Sequence, residues 1–206
     1  MLRLMATVRT LALHRARDIM KIIVGAGEVV RDGWLSLQHS DLDIRDARQW
    51  ARRFAPGSLE AILTEHTLEH LTIAEARATV SNFYRYLKRD GYVRCAVPDG
   101  FHTSPEYLNW VAPNSEGEQW LNQFRVNEPP HKTLWNYKSL SRLFGDAGFA
   151  VVFREWFDEA GRFHKSDWSE DHGYVRRASG RAWSNVLSLW VGAPYTSLLL
   201  DAVKSS

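Results

Sequence analysis

The sequence predicts an α/β fold on a mostly parallel sheet, with helices on both faces and an antiparallel pair of strands at its C-terminal edge. Three observations carry this reading. Short β-branched runs alternate with segments of helical spacing along most of the chain, the pattern of strands joined by crossover helices. The first run, Lys21-Ile22-Ile23-Val24, shows no polar alternation and ends at Gly25-Ala26-Gly27. A strand buried on both faces reads this way where it enters a tight turn. The chain closes on two more strand patterns, residues 149–157 and 195–203, with no helical spacing between them. Without a crossover helix, this pair is expected to be antiparallel.

Residues 1–20 read as an N-terminal helix, with Leu4, Val8, Leu11 and Ile19 roughly on one side. Residues 34–37 form a second short strand. Residues 46–54 have helical spacing, broken by Pro56-Gly57-Ser58. Residues 59–63 read as a third strand. The helix over 72–87 is the clearest element. Thr72 and Glu75 make a capping box, and Ile73, Ala76, Val80, Phe83, Tyr84 and Leu87 form its apolar stripe. Asp90-Gly91 ends that helix, and residues 92–97 are a strand stopped by Pro98. Residues 99–132 lack periodicity, and so long a loop in a compact domain is usually functional. Residues 139–147 are a helix with Gly148 as its stop. A polar, non-helical excursion, 158–194, separates the last two strands.

The chain has 206 residues, enough for one sizeable domain. We read 1–206 as a single domain, with 99–132 and 158–194 as its long irregular segments. Charged residues make up 24% of it, the net charge is +2, and the signs are interspersed. That argues against a nucleic-acid surface. One cysteine, Cys95, excludes an internal disulfide and fits a reducing compartment. Arg3, Arg9 and His14 interrupt any signal-peptide core, and no apolar run is long enough to span a bilayer. The expectation is a cytoplasmic enzyme or binding protein without a membrane partner.

One string carries chemistry of its own. His66-Thr67-Leu68-Glu69-His70 reads H-x-x-E-H, the zinc-helix pattern of inverted zinc peptidases. That chemistry needs both imidazoles on one helical face. Here His66 directly follows a strand, and the helix starts only near Thr72. No metal is expected from the string. Ligands of parallel sheets bind at the carboxyl ends of strands, at a switch in strand order. Three loops occupy such ends: Gly25-Ala26-Gly27, Glu65-His66 and Pro98-Asp99-Gly100. Only residues 28–33 separate Gly27 from Trp34, too few for a crossover helix whose N-terminus would hold a pyrophosphate. A ligand without phosphates fits better than NAD, FAD or ATP.

The ordered set IIVGAG (22–27), DGW (32–34), LTEHTLEHL (63–71), YRYLKRDGYVRCAVPDG (84–100) and HKTLWNYKSLSRLFGDAGF (131–149) resembles the class I, Rossmann-like S-adenosylmethionine-dependent methyltransferases of the type 11 kind. The resemblance covers roughly residues 21–157. It implies a Rossmann-like fold, S-adenosyl-L-methionine as cofactor, and methyl transfer to a small-molecule or glycan acceptor; a homodimer is compatible with it. By the same resemblance, Gly25, Ala26 and Gly27 line the methionine and ribose portion. Asp43 and Ile44 contact adenine, Asp43 having a loop turn or helix cap as its other reading, and Glu65 and His66 lie near the sulfonium. The ribose position, usually acidic, is Gln38 here, with His39 and Asp41 beside it. Asp99, His66, His131 and His102 are the candidate general bases. Tyr107, Trp110, Trp120, Trp135, Trp168 and Trp183 offer rings to an acceptor, or else satellite core clusters. Lys165, Arg176, Arg177 and Arg181 offer cations to an anionic group. The runner-up reading is a degenerate, cofactor-binding scaffold or partner subunit.

Overall fold

The computed structural model describes residues 20–25, 27, 29–124 and 129–205. The N-terminal helix expected over 1–20 falls almost wholly outside them, as does Ala26. Seven strands form one sheet: β1 (Met20–Val24), β2 (Trp34–Leu37), β3 (Leu59–Glu65), β4 (Leu87–Pro98), β5 (Ala150–Phe157), β6 (Phe163–Lys165) and β7 (Ser197–Val203), in the order β2-β1-β3-β4-β7-β5-β6. The first four run parallel, with Ile23 opposite Ser36 and Leu63. β7 runs antiparallel to both β4 and β5, pairing Leu200 with Cys95 and Phe153. The sheet is thus mixed and mostly parallel. The antiparallel pair sits at its C-terminal end, with the final strand innermost and β6 added outside as a hairpin partner of β5.

Helix α1 (Ala47–Arg53) starts at Asp46, whose side chain accepts from the Arg48 N–H, and buries Trp50. Helix α2 (Ile73–Tyr86) has the capping box its sequence predicts. Trp50 stacks on Tyr86 at 5.2 Å and meets the edge of Phe83 at 5.8 Å. Helix α2 also packs against α5 (Tyr137–Asp146), and Ala76, Val80, Phe83, Leu140 and Phe144 join Ile22, Ile62 and Val93 in the main core. Among the described residues, the opposite face of the sheet is packed by Trp168, Val175 and Ala178 against Ile23, Leu63, Ala96 and Leu199. No helix of the described residues is long and apolar enough to cross a membrane.

Two expectations are corrected. Residues 99–132 are not structureless: α3 (Pro105–Val111) and α4 (Glu116–Asn122) lie within them. Each spans only two turns, too few positions for a stripe to show. The 158–194 excursion is not wholly non-helical, since it contains β6 and α6 (Ala182–Val191). Helix α6 buries Ser184 and leaves Trp183, Val186, Leu189 and Trp190 exposed, so it does not follow the apolar-inside stripe that periodicity reads. A smaller adjustment concerns Asp90-Gly91, which makes a bulge inside β4. The pairing jumps there from Leu59–Leu87 to Ala61–Tyr92, and a side chain on Gly91 would meet the Glu60 carbonyl at 2.9 Å.

Candidate functional site

The chain leaves β1 toward β2 on one side and returns to β3 on the other. The carboxyl end of β1 is therefore the switch point where α/β sheets open a crevice. A cleft of about 670 Å³ lies there, lined by Gly25, Gly27, Gln38, Asp43, Ile44 and His66, among others. Gly25 has φ +64°, and a Cβ on it would stand 2.3 Å from Thr67 Oγ1. Only glycine lets the β1 and β3 loops approach so closely. Gly27 also has positive φ, with open space where a Cβ would be. No described helix links β1 to β2, as the short connection predicts.

The side walls are built locally. The Gln38 amide donates to the Gly27 carbonyl, and the Gln38 N–H bonds Asp41 Oδ2 at 2.9 Å. The Asp43 carboxylate receives Arg45 Nε and Nη2, both at 2.8 Å. Its hydrogen bonds from Arg45 hold its carboxyl below the usual range. Ile44 lines the cleft, and its carbonyl accepts from Trp50 Nε1 and Asn82 Nδ2. The core thereby sets the height of this wall.

The floor is the H-x-x-E-H string. β3 ends at Glu65, and His66 adopts φ +52°, a left-handed conformation rare outside glycine. A 3₁₀ turn, Leu68–His70, follows before α2 begins. His66 and His70 therefore do not share a helical face. His66 Nε2 lies 2.9 Å from Ser197 Oγ, and its Nδ1 lies 3.1 Å from Glu69 Oε1. Burial, then the Arg177 charge, lowers the His66 pKa. Burial pushes the Glu69 carboxyl up, while the facing His66, His70 and His131 pull it down, and the net shift is downward. Residues 132 and 133 donate backbone N–H groups to the Glu69 carbonyl at 2.8 and 3.1 Å. That seam brings His131 against His70, ring centroids 4.9 Å apart.

A second, smaller pocket of about 170 Å³ is lined by Trp110, Val111, Leu187, Trp190 and Tyr195, and shares His66, His131 and Arg177 with the cleft. Helices α3 and α6 supply its walls, packed together through Tyr107, Val111 and Val191.

Two expected site residues are elsewhere. Asp99 is fully buried and borders neither cavity. Its oxygens accept from the Phe101 and Phe157 N–H groups at 2.9 and 2.8 Å. The Glu65 carboxylate also turns away from the cleft. It caps the Arg176 and Arg177 N–H groups at 3.2 and 2.8 Å, docking the late excursion onto β3. His102 is a structural histidine: Nε2 donates to the Pro194 carbonyl, Nδ1 accepts from the Ser104 N–H, and its ring stacks on Tyr107. Tyr107 and Trp135 are core residues. Trp168 lies between the Arg94 and Arg181 guanidiniums. Of the four cations named above, Lys165 and Arg176 face Glu155 and Glu65, Arg181 pairs with Glu170, and Arg177 lines both cavities. Sequence reading missed Thr67, Arg45, Glu69, Trp190 and Tyr195. Glu69 alone carried a signal, as the centre of the zinc string.

No family model matches the chain, and no curated protein does. Among solved structures it is similar to an S-adenosylmethionine-dependent methyltransferase from Archaeoglobus fulgidus, at 14% identity and a TM-score of 0.50, over 98% of this chain and 94% of that one. It is also similar to an S-adenosylmethionine-dependent methyltransferase from Thermotoga maritima (12%, TM-score 0.48, 90% and 82% covered). A geranyl diphosphate C-methyltransferase from Streptomyces coelicolor A3(2) gives 11%, 0.48, and 98% and 78%. At these identities the likeness is one of fold. The chain has the class I, Rossmann-like methyltransferase fold.

Proposed function

We propose that the chain is a type 11-like methyltransferase that binds S-adenosyl-L-methionine in the switch-point cleft. It transfers the methyl group to a small-molecule or glycan-type acceptor seated in the aromatic pocket. One observation carries this reading: a large cleft at the switch point and a small aromatic pocket meet at His66, His131 and Arg177. The cleft volume suits a cofactor-sized ligand. Gly27 leaves room for close approach, Ile44 offers an apolar face, and Asp43 and Gln38 offer polar contacts. These residues fit the cofactor, which supplies an electrophilic methyl group on a positive sulfur.

The residues of this chain would do the rest. Gly25 and Gly27 admit the methionine portion, Gln38 faces the ribose, and Asp43 with Ile44 holds adenine. His66, its pKa lowered by burial, borders both cavities and takes the proton released by the acceptor once its Nε2 leaves Ser197 Oγ. His131 borders the acceptor and aligns it, so that attacking atom and methyl carbon stand in line. The segments 99–132 and 158–194, through α3 and α6, form the cap of a single domain. The buried thiol of Cys95 supports a reducing, cytoplasmic setting.

Calorimetric titration with S-adenosylmethionine and S-adenosylhomocysteine, with NAD as control, tests the reading. We expect binding on the order of micromolar, weakened more than about tenfold in Gly25→Arg, where the new side chain drives into Thr67. Failure of the wild type to bind either compound would end the proposal. A second reading, binding without turnover, is favoured by one feature: the uncharged Gln38 spends its amide on Gly27. Release of S-adenosylhomocysteine with any acceptor from a panel of small alcohols and amines rules that reading out.

A further inference from the structure

We propose that Glu69, His70 and His131 form a site for one divalent transition-metal ion, zinc by ligand type, on the floor of the cleft. One donor atom from each lies within 4.8 Å of the others, and all three line the cleft. A four-coordinate ion needs its ligand atoms closer than this, so the site contracts on binding. Two imidazoles and a carboxylate suit zinc or a neighbouring first-row ion, and leave positions open toward the cleft. The coordinating pair is thus not the one the zinc string suggests. Glu69 and His70 come from the string, but the second imidazole comes from the distant extended segment at 131–133.

Two independent observations point to a ligand. The first is Glu69 itself, 1% exposed, with neither oxygen accepting a hydrogen bond among the described residues. His66 Nδ1 stands 3.1 Å from Oε1, and a neutral His66 brings no charge to the carboxylate. Among the described residues, no lysine or arginine pairs with Glu69. A buried carboxylate is costly unless a positive charge faces it, and where the facing imidazoles are neutral a cation on the Oε2 side supplies that charge. The second is the orientation of the imidazoles. His131 Nδ1 faces the Val111 carbonyl at 2.9 Å, and His70 Nδ1 faces the Pro130 carbonyl at 3.4 Å. A nitrogen facing a carbonyl carries the proton, so the lone pair of each neutral ring sits on Nε2. Backbone carbonyls orient metal-binding histidines in this way.

The test uses the full chain, stripped with chelator and titrated with zinc by calorimetry and with cobalt(II) by visible absorption. We expect one ion per chain. Glu69→Gln and His131→Ala should each weaken binding more than about 100-fold, beyond the 10–100-fold typical of outer-shell changes. His164→Ala, on β6, should leave it unchanged. Should either variant fail to fold, long-range ¹H–¹⁵N spectra of the wild type decide. Zinc should shift Nε2 of His70 and His131 and spare His102, which lies outside the cleft. Absence of saturable binding below about 100 μM, a range typical of weak or adventitious association, would overturn the inference. So would binding that survives both variants, or zinc shifts on other imidazoles. The outcome does not depend on methyl transfer: zinc binding without cofactor binding keeps this site and ends the enzyme reading.

Discussion

Asp99 sits at the carboxyl end of β4, where a catalytic carboxylate is expected, yet serves the fold. Burial raises its pKa to about 6, against two backbone N–H groups that pull it down. Its folded pKa lies above the unfolded value of 3.8, so folding favours the protonated form. That stabilisation is fully present below pH 3.8 and is lost as pH rises through about 6. Removing the side chain strands the Phe101 and Phe157 N–H groups. Asp99→Ala should cost about 2–4 kcal/mol by urea denaturation. The cost should be about 2–3 kcal/mol larger at pH 4 than at pH 7. Equal costs at the two pH values would show that Asp99 is not raised. Residue type and position suggested a base here; only the hydrogen-bond partners reveal the structural role.

Elements were legible where local chemistry is repeated. The stripe and capping box of α2 gave its bounds, and the short apolar runs 22–24 and 61–63 marked buried parallel strands. Helices α3 and α4 are too short for a stripe, and α6 leaves most of its apolar side chains exposed while burying Ser184. The α2 cap makes a separate prediction. Thr72 Oγ1 accepts from the Glu75 N–H, and the Glu75 carboxylate receives the Thr72 N–H at 2.8 Å. Thr72→Ala should lower stability by about 1 kcal/mol. The Thr72 bonds hold the Glu75 pKa at about 2, below its ordinary 4.5. A lowered folded pKa stabilises above pH 4.5, and the contribution fades as pH falls through about 2. Thermal melts of both proteins at pH 7 and pH 2.5 should therefore differ less at the lower pH.

At the scale of the molecule, buried charges hold the late excursion on the sheet. Arg94, fully buried on β4, makes a two-point pair with Asp201 at 2.7 and 2.8 Å and donates to the Ser169 and Gly173 carbonyls. Glu155 receives the Trp168 indole, the Ser179 N–H and the Thr196 hydroxyl. Arg94→Met should cost about 3 kcal/mol, because among the described residues Asp201 keeps only Arg154 and two carbonyls lose their donor. Limited proteolysis should then cut within 166–180 sooner than in the wild type. No sequence pattern announces these pairs, since an arginine in a strand reads as surface until its partner is found.

The sequence by itself determined the alternating α/β order, the short first connection and the glycine turn at the end of β1. These follow from periodicity and backbone conformational limits, which act over a few residues. Tertiary structure alone decided which side chains meet in the cleft. It turned Asp99 and Glu65 into supports for neighbouring segments, and it brought His131 onto His70 through the backbone seam at Glu69. Hydrogen bonds and buried charges between distant segments set those placements, and such pairings leave no local trace in the order of residues.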